Sequence, residues 1–111
     1  MTVQQLCIMH ELMKRGTMIA TQISDTCFFA PASCTRMLAE KVESGLIICE
    51  PMRFDKRIKL YELKEAGRQI VKNAEQKANR DGHSLGKTLK MWTNDRRRLS
   101  KGRQMIAGWL P

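Results

Sequence analysis

Apolar residues recur at helical spacing along the first 15 residues of the chain. Thr2 is a suitable N-cap for a helix that runs to about Arg15, and Gly16 is a suitable stop. Successive residues of a helix are rotated by about 100° around its axis. In this projection the face expected to pack inward carries Leu6, Ile8, Met9, Leu12 and Met13. The side expected to face away from the core carries Cys7, Glu11 and Lys14. The pattern therefore predicts an amphipathic first helix with one buried face.

Two further helices are predicted before residue 45. A short one spans roughly Ala20 to Thr26, and Pro31 opens the next at its first position, where the missing N–H costs no hydrogen bond. The inward face of this third helix carries Cys34, Met37, Leu38 and Val42. Its outward side carries Ala32, Ser33, Arg36, Glu40 and Glu43, with Thr35 at the margin. Small polar residues followed by an arginine suit a helix that enters the major groove of DNA, whereas a solvated amphipathic face is the ordinary alternative.

From Leu46 the pattern changes to the period of two that is typical of strands. The segments LIICE and RIKLYEL flank the turn-forming stretch PMRFDK and predict a β-hairpin. Three cationic residues lie at its tip, namely Arg53, Lys56 and Arg57. A cationic tip suits the minor groove of DNA, where negative potential is concentrated.

A further helix is predicted from Glu65 to about Arg80, with Ile70, Val71 and Ala74 on its inner side. The order helix, short helix, helix, hairpin is that of a winged helix-turn-helix, in which the hairpin is the wing. The predicted fold class is therefore mainly α with a small β-hairpin wing (α+β), followed by a C-terminal helical extension.

Charge separates the chain into two parts. The 111 residues suffice for one domain with a modest core and carry a formal net charge of +9, which points to a polyanionic partner. The first 75 residues hold 11 Lys and Arg against nine Asp and Glu, whereas residues 76–111 hold nine against two. We expect a DNA-binding domain over residues 1–80 and a basic extension over residues 81–111. No apolar run is long enough to cross a bilayer and the start lacks a secretory pattern, so a cytoplasmic, nucleoid-associated protein without a membrane partner is expected.

The extension allows two interpretations. Leu85, Trp92, Leu99 and Ile106 recur every seven residues, and a helix over about 84–98 would let this stripe contribute to a homodimer. In the alternative, only Leu89 and Trp92 pack on the body. A partly disordered arm would then bind DNA phosphates through basic residues that include Arg96, Arg97 and Arg98.

The cysteine and histidine pattern gives little support to a metal site or to catalysis. Cys7, Cys27, Cys34 and Cys49 include no C-x-x-C pair, and buried thiols that behave as small hydrophobes are the favoured interpretation. His10, one helical turn after Cys7, has no second ligand pair nearby. No nucleophile–base arrangement and no P-loop is recognisable, so we expect no enzyme, no cofactor and no metal.

The run PASCTRMLAEKVESGLIICEPMRFDKRIKLYELKEAGRQI resembles the core of the MarR family of bacterial winged-helix transcriptional regulators. Three features carry the resemblance: the SCTR stretch at residues 33–36, the GLI stretch at 45–47, and DKR at 55–57 followed by the L-x-x-A-G-R pattern at 63–68. The resemblance covers roughly residues 5–75.

The resemblance implies roles for individual residues. In the major groove it places Ala32, Ser33, Thr35 and Arg36. In the minor groove it places the wing arginine Arg57, which Asp55 would orient by a charge-assisted hydrogen bond. The alternative for this pair is a contact that stabilises the hairpin alone, and exposed pairs of this kind are usually worth less than about 1 kcal/mol. Arg53 and Lys56 complete the predicted wing contacts.

Several departures from the family pattern are visible. The helix that precedes the first helix and helps to form the family's dimer is expected to be absent. Cys27, Phe28 and Phe29 replace the usual turn glycine, and we expect both phenylalanines to pack in the core. Lys64 replaces the usual capping threonine. A small-molecule effector is not indicated, and thiol sensing by Cys7 lacks a recognisable activating environment.

The sequence therefore predicts a double-stranded DNA-binding transcriptional regulator, a homodimer from a bacterium or phage that acts as a repressor. One alternative is an accessory DNA-binding protein of plasmid or phage replication or partition. The other is a winged helix that binds a protein partner instead of DNA.

Overall fold

Five helices and a three-stranded antiparallel sheet make up residues 2–94, the part of the chain that the computed structural model describes. The elements in chain order are α1 (Val3–Arg15), β1 (Met18–Ile19), α2 (Ala20–Cys27), α3 (Pro31–Glu43), β2 (Ile47–Pro51), β3 (Lys59–Leu63), α4 (Glu65–Arg80) and α5 (residues 85–94). The predicted fold class, a winged helix-turn-helix with a helical extension, is confirmed.

Helix α1 begins and ends where its capping residues predict. The Thr2 hydroxyl accepts a hydrogen bond from the Gln5 N–H, and Gly16 takes a φ of +85° that favours glycine. The expectation that Cys7 faces away from the core is wrong, because its side chain is 3% exposed. Helix α1 is covered on two sides, so that the thiol of Cys7 lies against Cys27 of α2 and Thr93 of α5.

The sheet has the order β1–β3–β2. Strand β1, a two-residue element that pairs Met18 with Tyr61 of β3, was not predicted, because two residues are too few to show a period of two. The hairpin pairs Ile47 with Leu63 and Pro51 with Lys59. Pro51 therefore belongs to β2, and Arg57 lies in the turn instead of in β3. We call the connecting residues 52–58 the wing tip.

The turn between α2 and α3 is made without glycine. Phe28 adopts the left-handed conformation, with φ of 56° and ψ of 44°, and its N–H donates to the carbonyl of Ser24. This conformation costs a residue with a Cβ roughly 1–2 kcal/mol. Phe29 is buried as predicted, but the expectation that Phe28 also packs fully in the core is wrong, since its side chain is 36% exposed. The left-handed backbone turns the Phe28 side chain towards the surface.

Helix α5 packs against the rest of the described chain. Leu85 and Leu89 are buried in the same core as Ile8, and the Trp92 ring lies 5.8 Å from that of Phe29. Leu85 therefore faces the core of its own chain, not a second copy. Leu99, Ile106 and the arginines at 96–98 lie outside the described residues, and the division into two domains near residue 81 stays a prediction.

Helix α4 starts without a side-chain cap. Lys64 occupies the N-cap position and makes no capping hydrogen bond, as its replacement of a threonine predicts. Substituting Lys64→Ser is expected to raise the free energy of unfolding by about 1 kcal/mol, because the hydroxyl can accept an N–H of the first turn. Denaturant unfolding measures this. Lys64→Ala removes the charge without adding a cap, and equal stabilities of the Ser and Ala variants would contradict the expectation.

Candidate nucleic-acid interface

Helix α3 is held by one face and exposes the other. Cys34 and Leu38 are buried, and they fix the rotation of the helix on the core. Of the predicted DNA contacts in its first half, Ala32, Thr35 and Arg36 are exposed to solvent and Ser33 is half-buried. This is the exposure that the amphipathic pattern predicts.

The exposed polar groups of α3 differ in what they can offer a ligand. The Thr35 hydroxyl donates to the Pro31 carbonyl at 2.9 Å, so its oxygen remains as an acceptor for a base-edge amino group. Within residues 2–94, Arg36 makes no ion pair, which leaves its guanidinium available as a fork of donors. Glu40 and Glu43 are exposed in the second half of the helix. They would repel phosphates, so the first half of α3 is the part suited to approach DNA.

The hairpin is locked to the end of α3 and to α4. The Leu46 N–H donates to the Lys41 carbonyl at 3.0 Å, and the Leu46 carbonyl accepts the Lys64 N–H at 2.9 Å. Gly67 of α4 packs on this junction so closely that a Cβ would lie 2.6 Å from the Leu46 oxygen. This contact explains why the L-x-x-A-G-R pattern at 63–68 has a glycine at position 67, because a larger residue would collide with the Leu46 oxygen. The wing and α3 are consequently parts of one rigid junction.

Hydrogen bonds order the wing tip. The Met52 N–H donates to the Ile58 carbonyl at 2.7 Å, and the Ile58 N–H donates to the Asp55 carbonyl at 3.0 Å. The Asp55 carboxylate accepts the Arg57 backbone N–H and Nε–H, both at 3.1 Å, and Nη2–H at 3.3 Å. The Arg57 side chain is nevertheless 91% exposed. Asp55 therefore fixes the direction of a guanidinium that faces solvent.

The side-chain hydrogen bonds from Arg57, followed by its backbone N–H, lower the pKa of Asp55 below its ordinary value. A carboxyl whose pKa is lowered in the folded state keeps its contact above its ordinary pKa and loses it as the pH falls through the lowered value. The pair is therefore intact at neutral pH.

Truncating Asp55 tests whether this orientation matters for a ligand. Asp55→Ala removes a negative charge, which alone would strengthen binding to DNA, but it also frees Arg57. We expect the second effect to dominate, with affinity for a duplex reduced up to about 5-fold. Glu50→Ala is the matched control, because it removes the same charge from β2 without a contact to Arg57, and its affinity should be unchanged or higher. Fluorescence anisotropy with a labelled duplex measures both, and equal gains for the two variants would contradict the expectation.

The structure places the predicted wing residues together at one end of the hairpin. Arg53, Lys56 and Arg57 are exposed, with Asp55 between them. Sequence reasoning missed Phe54, which is 93% exposed at the same tip. The available signal was an aromatic residue in the middle of a charged turn. The three consecutive arginines that were predicted to contact DNA, Arg96, Arg97 and Arg98, lie outside the described residues.

The cysteines form part of the core. Cys27 and Cys34 are buried as the thiol interpretation predicts, Cys7 is buried although the helix projection placed it on the outward side, and Cys49 is half-buried. No disulfide joins any of the four, all of which lie in the described part. The Cys7 and Cys27 sulfurs are 3.5 Å apart, and their hydrogen bond together with burial raises the pKa of Cys27. Burial raises the pKa of Cys34 to about 11. A thiol with a raised pKa stays protonated at neutral pH and is a poor nucleophile, so Cys27 and Cys34 give no support to thiol sensing.

Other features of residues 2–94 bear on alternative functions. His10 lies 4.0 Å from Glu75, and no group of three or more His, Cys, Asp or Glu in this part could hold a metal ion. No helix in the same range is long and apolar enough to span a membrane. A cavity of about 730 Å³ opens between α1 and α5, with Lys14 and Lys87 among the residues that line it. The sequence did not reveal this cavity, and the expectation that no small-molecule effector is indicated stays untested.

Comparisons with known proteins give the same fold. No protein-family model and no curated protein matches the sequence. Among solved structures, a cysteine-to-serine mutant of MarR from Escherichia coli is 22% identical, with a TM-score of 0.70 over 100% of this chain and 79% of that one. The same mutant in complex with operator DNA is 18% identical, with a TM-score of 0.65 over 100% and 76%. BpsR of Bordetella bronchiseptica, whose DNA binding is regulated by 6-hydroxynicotinic acid, is 13% identical, with a TM-score of 0.67 over 96% and 75%.

The resemblance noted in the sequence covers roughly residues 5–75, and these neighbours cover 96–100% of the chain. They are transcriptional regulators, and the likeness includes both the hairpin and the helices on either side of it. The chain therefore has the winged-helix fold of the MarR-type transcriptional regulators.

Proposed function

We propose that this protein binds double-stranded DNA in a sequence-specific manner and regulates transcription. The observation that carries the proposal is that two exposed arginines occur together: Arg36 on α3, which makes no ion pair within residues 2–94, and Arg57, which Asp55 holds in place on the wing. The first suits base edges in the major groove and the second suits the narrow minor groove. The guanidinium groups of Arg36 and Arg57 are suited to binding DNA. The proposed function is therefore binding, without enzymatic activity.

The chemistry of each side chain suits it to a different contact with DNA. Ala32 and Ser33 are small and let the start of α3 approach the base pairs, Thr35 offers an acceptor, and Arg36 donates to guanine or phosphate. Arg53 and Lys56 contact phosphates beside the wing. The net charge of +9 supplies the general attraction to DNA. The arginines at 96–98 add to this attraction as a sequence-independent term.

A homodimer on an inverted repeat is the assembly that we propose. Two copies of α3 would then lie in successive major grooves about one helical turn apart, which is about 34 Å. Occupancy of such a site excludes polymerase, so repression is the proposed sign of regulation. The proposed location is the cytoplasm, at the nucleoid.

Two other functions remain to be separated from this one by experiment. An accessory protein of plasmid or phage replication or partition would bind every duplex alike. A winged helix that binds a protein partner would bury Ser33 and Arg36 against that partner and bind DNA weakly or not at all.

Salt dependence tests the proposal against the protein-binding alternative. The full chain is titrated onto a labelled duplex of random sequence between about 50 and 200 mM salt, where a protein with several phosphate contacts loses affinity steeply. We expect the logarithm of the dissociation constant to rise linearly with that of salt concentration. Absence of binding at the low-salt end would contradict DNA binding and favour a protein partner.

A further inference from the structure

Phe54 is the most exposed large apolar side chain of the described residues. Its ring is 93% exposed, against 68% for Met91 and 50% for Val3. A phenylalanine buries a large apolar area when it is covered, and this burial is favourable. Leaving it in water forgoes that stabilisation, and the ring contributes nothing to the core of this chain.

The wing tip presents this ring in an ordered way. The residues on both sides are fixed by the Met52–Ile58 and Ile58–Asp55 backbone hydrogen bonds. The guanidinium carbon of Arg53 lies 5.9 Å from the centre of the Phe54 ring, within the range of a cation–π contact. An apolar ring held in a rigid turn loses little conformational freedom when it is covered.

Positively charged residues flank Phe54 along the chain. Arg53, Lys56, Arg57 and Lys59 are all exposed within five positions of Phe54, and Asp55 is occupied by Arg57. An apolar group flanked by exposed cationic side chains fits a surface that is apolar at its centre and anionic at its edges. The minor groove of DNA has this character, because phosphates flank the sugars and stacked bases that form its walls and floor.

We propose that the Phe54 ring inserts into the minor groove and wedges into one base step at the flank of the bound site, partly unstacking it. This inference rests on the proposed function. It adds a contact whose strength depends on how easily the DNA base step deforms, in addition to the wing's contacts with the minor groove. Pyrimidine–purine steps such as TA and CA unstack most easily, so they are favoured at the flank. Arg53 and Lys56 neutralise the phosphates on either side of the opened step, and Arg57 occupies the adjacent part of the minor groove.

The test uses the full chain and a duplex selected by the wild type from a random pool, with 2-aminopurine placed in turn at each flanking position. Wild-type protein should raise the fluorescence at one position, since 2-aminopurine brightens when it is unstacked. Phe54→Ala should abolish this rise and weaken binding about 10-fold. Phe54→Leu keeps an apolar wedge, so it should retain the rise and stay within about 3-fold of wild type.

Controls separate this inference from the function it rests on. Met91→Ala removes an exposed apolar side chain from helix α5, outside the wing tip, and should leave both affinity and fluorescence unchanged. If wild type binds no duplex, the proposed function itself fails. If wild type binds but Phe54→Ala has the same affinity, or binds more weakly without a difference in fluorescence, the wedge is overturned while DNA binding stands. The wild type and the three variants should unfold at the same temperature, because the side chains of Phe54 and Met91 both lie outside the core.

Discussion

Replacing Arg36 with Ala is expected to weaken binding to the selected duplex by about 1–3 kcal/mol, or roughly 5- to 150-fold. The guanidinium has no partner to lose within the described part of the chain, so this loss reports its contacts with DNA directly. Affinity for random duplexes should fall much less, because a base-edge contact exists only at the right sequence. The variant should therefore lose specificity together with affinity.

Two comparisons complete this prediction. Arg57→Ala should weaken selected and random duplexes by more similar factors, since a wing in the minor groove reads width and charge more than base identity. Arg80→Ala removes the same charge from the end of α4 and is the matched control. Anisotropy titrations at one salt concentration measure all three variants. An Arg36→Ala protein that binds the selected duplex as tightly as the Arg80→Ala protein would remove α3 from the interface.

Replacing Gly67 with Ala is expected to lower the free energy of unfolding by about 1–3 kcal/mol. The added Cβ would lie 2.6 Å from both the Leu46 carbonyl oxygen and Leu63 Cδ1. Leu63 can shift, but the Leu46 oxygen belongs to the backbone and accepts the Lys64 N–H, so moving it weakens the junction between α3, the hairpin and α4. DNA affinity should also fall, because the wing would change its position relative to α3.

Gly86→Ala is the control for this substitution. A Cβ there meets the His10 ring no closer than 3.8 Å, and the position lies in helix α5, where alanine is favoured over glycine by up to about 1 kcal/mol. This variant should be as stable as wild type or more stable. Denaturant unfolding of both proteins gives the comparison. If Gly67→Ala unfolds at the same denaturant concentration as Gly86→Ala, the close approach of α4 to the hairpin is wrong.

Much of the fold was predictable because local signals agreed with the tertiary structure. Thr2, Gly16 and Pro31 mark helix ends by their own conformational preferences, which neighbouring elements do not alter. The buried face of α3, with Cys34 and Leu38, follows from helical spacing alone. The charged residues of the wing tip were placed correctly, because a hairpin needs only its two strands and a turn.

The features that were missed depend on distant contacts. Cys7 was assigned to the exposed side of α1 since a single helix projection cannot show that α2 and α5 cover that side. The left-handed Phe28 occupies a conformation that its own residue type disfavours, so only packing of the α2–α3 turn explains it. The exposure of Phe54 was missed for the opposite reason, because an aromatic residue in a sequence is expected to be buried.

The claim that α3 reads a DNA sequence is tested most directly by the ratio of two dissociation constants. Purified protein selects duplexes from a random pool, and its affinities for the enriched and random sequences are then measured at the same salt concentration. We predict an inverted-repeat motif bound about 10³-fold or more tightly than random duplex. Equal, steeply salt-dependent binding to every sequence would contradict sequence-specific recognition and indicate an accessory DNA-binding protein.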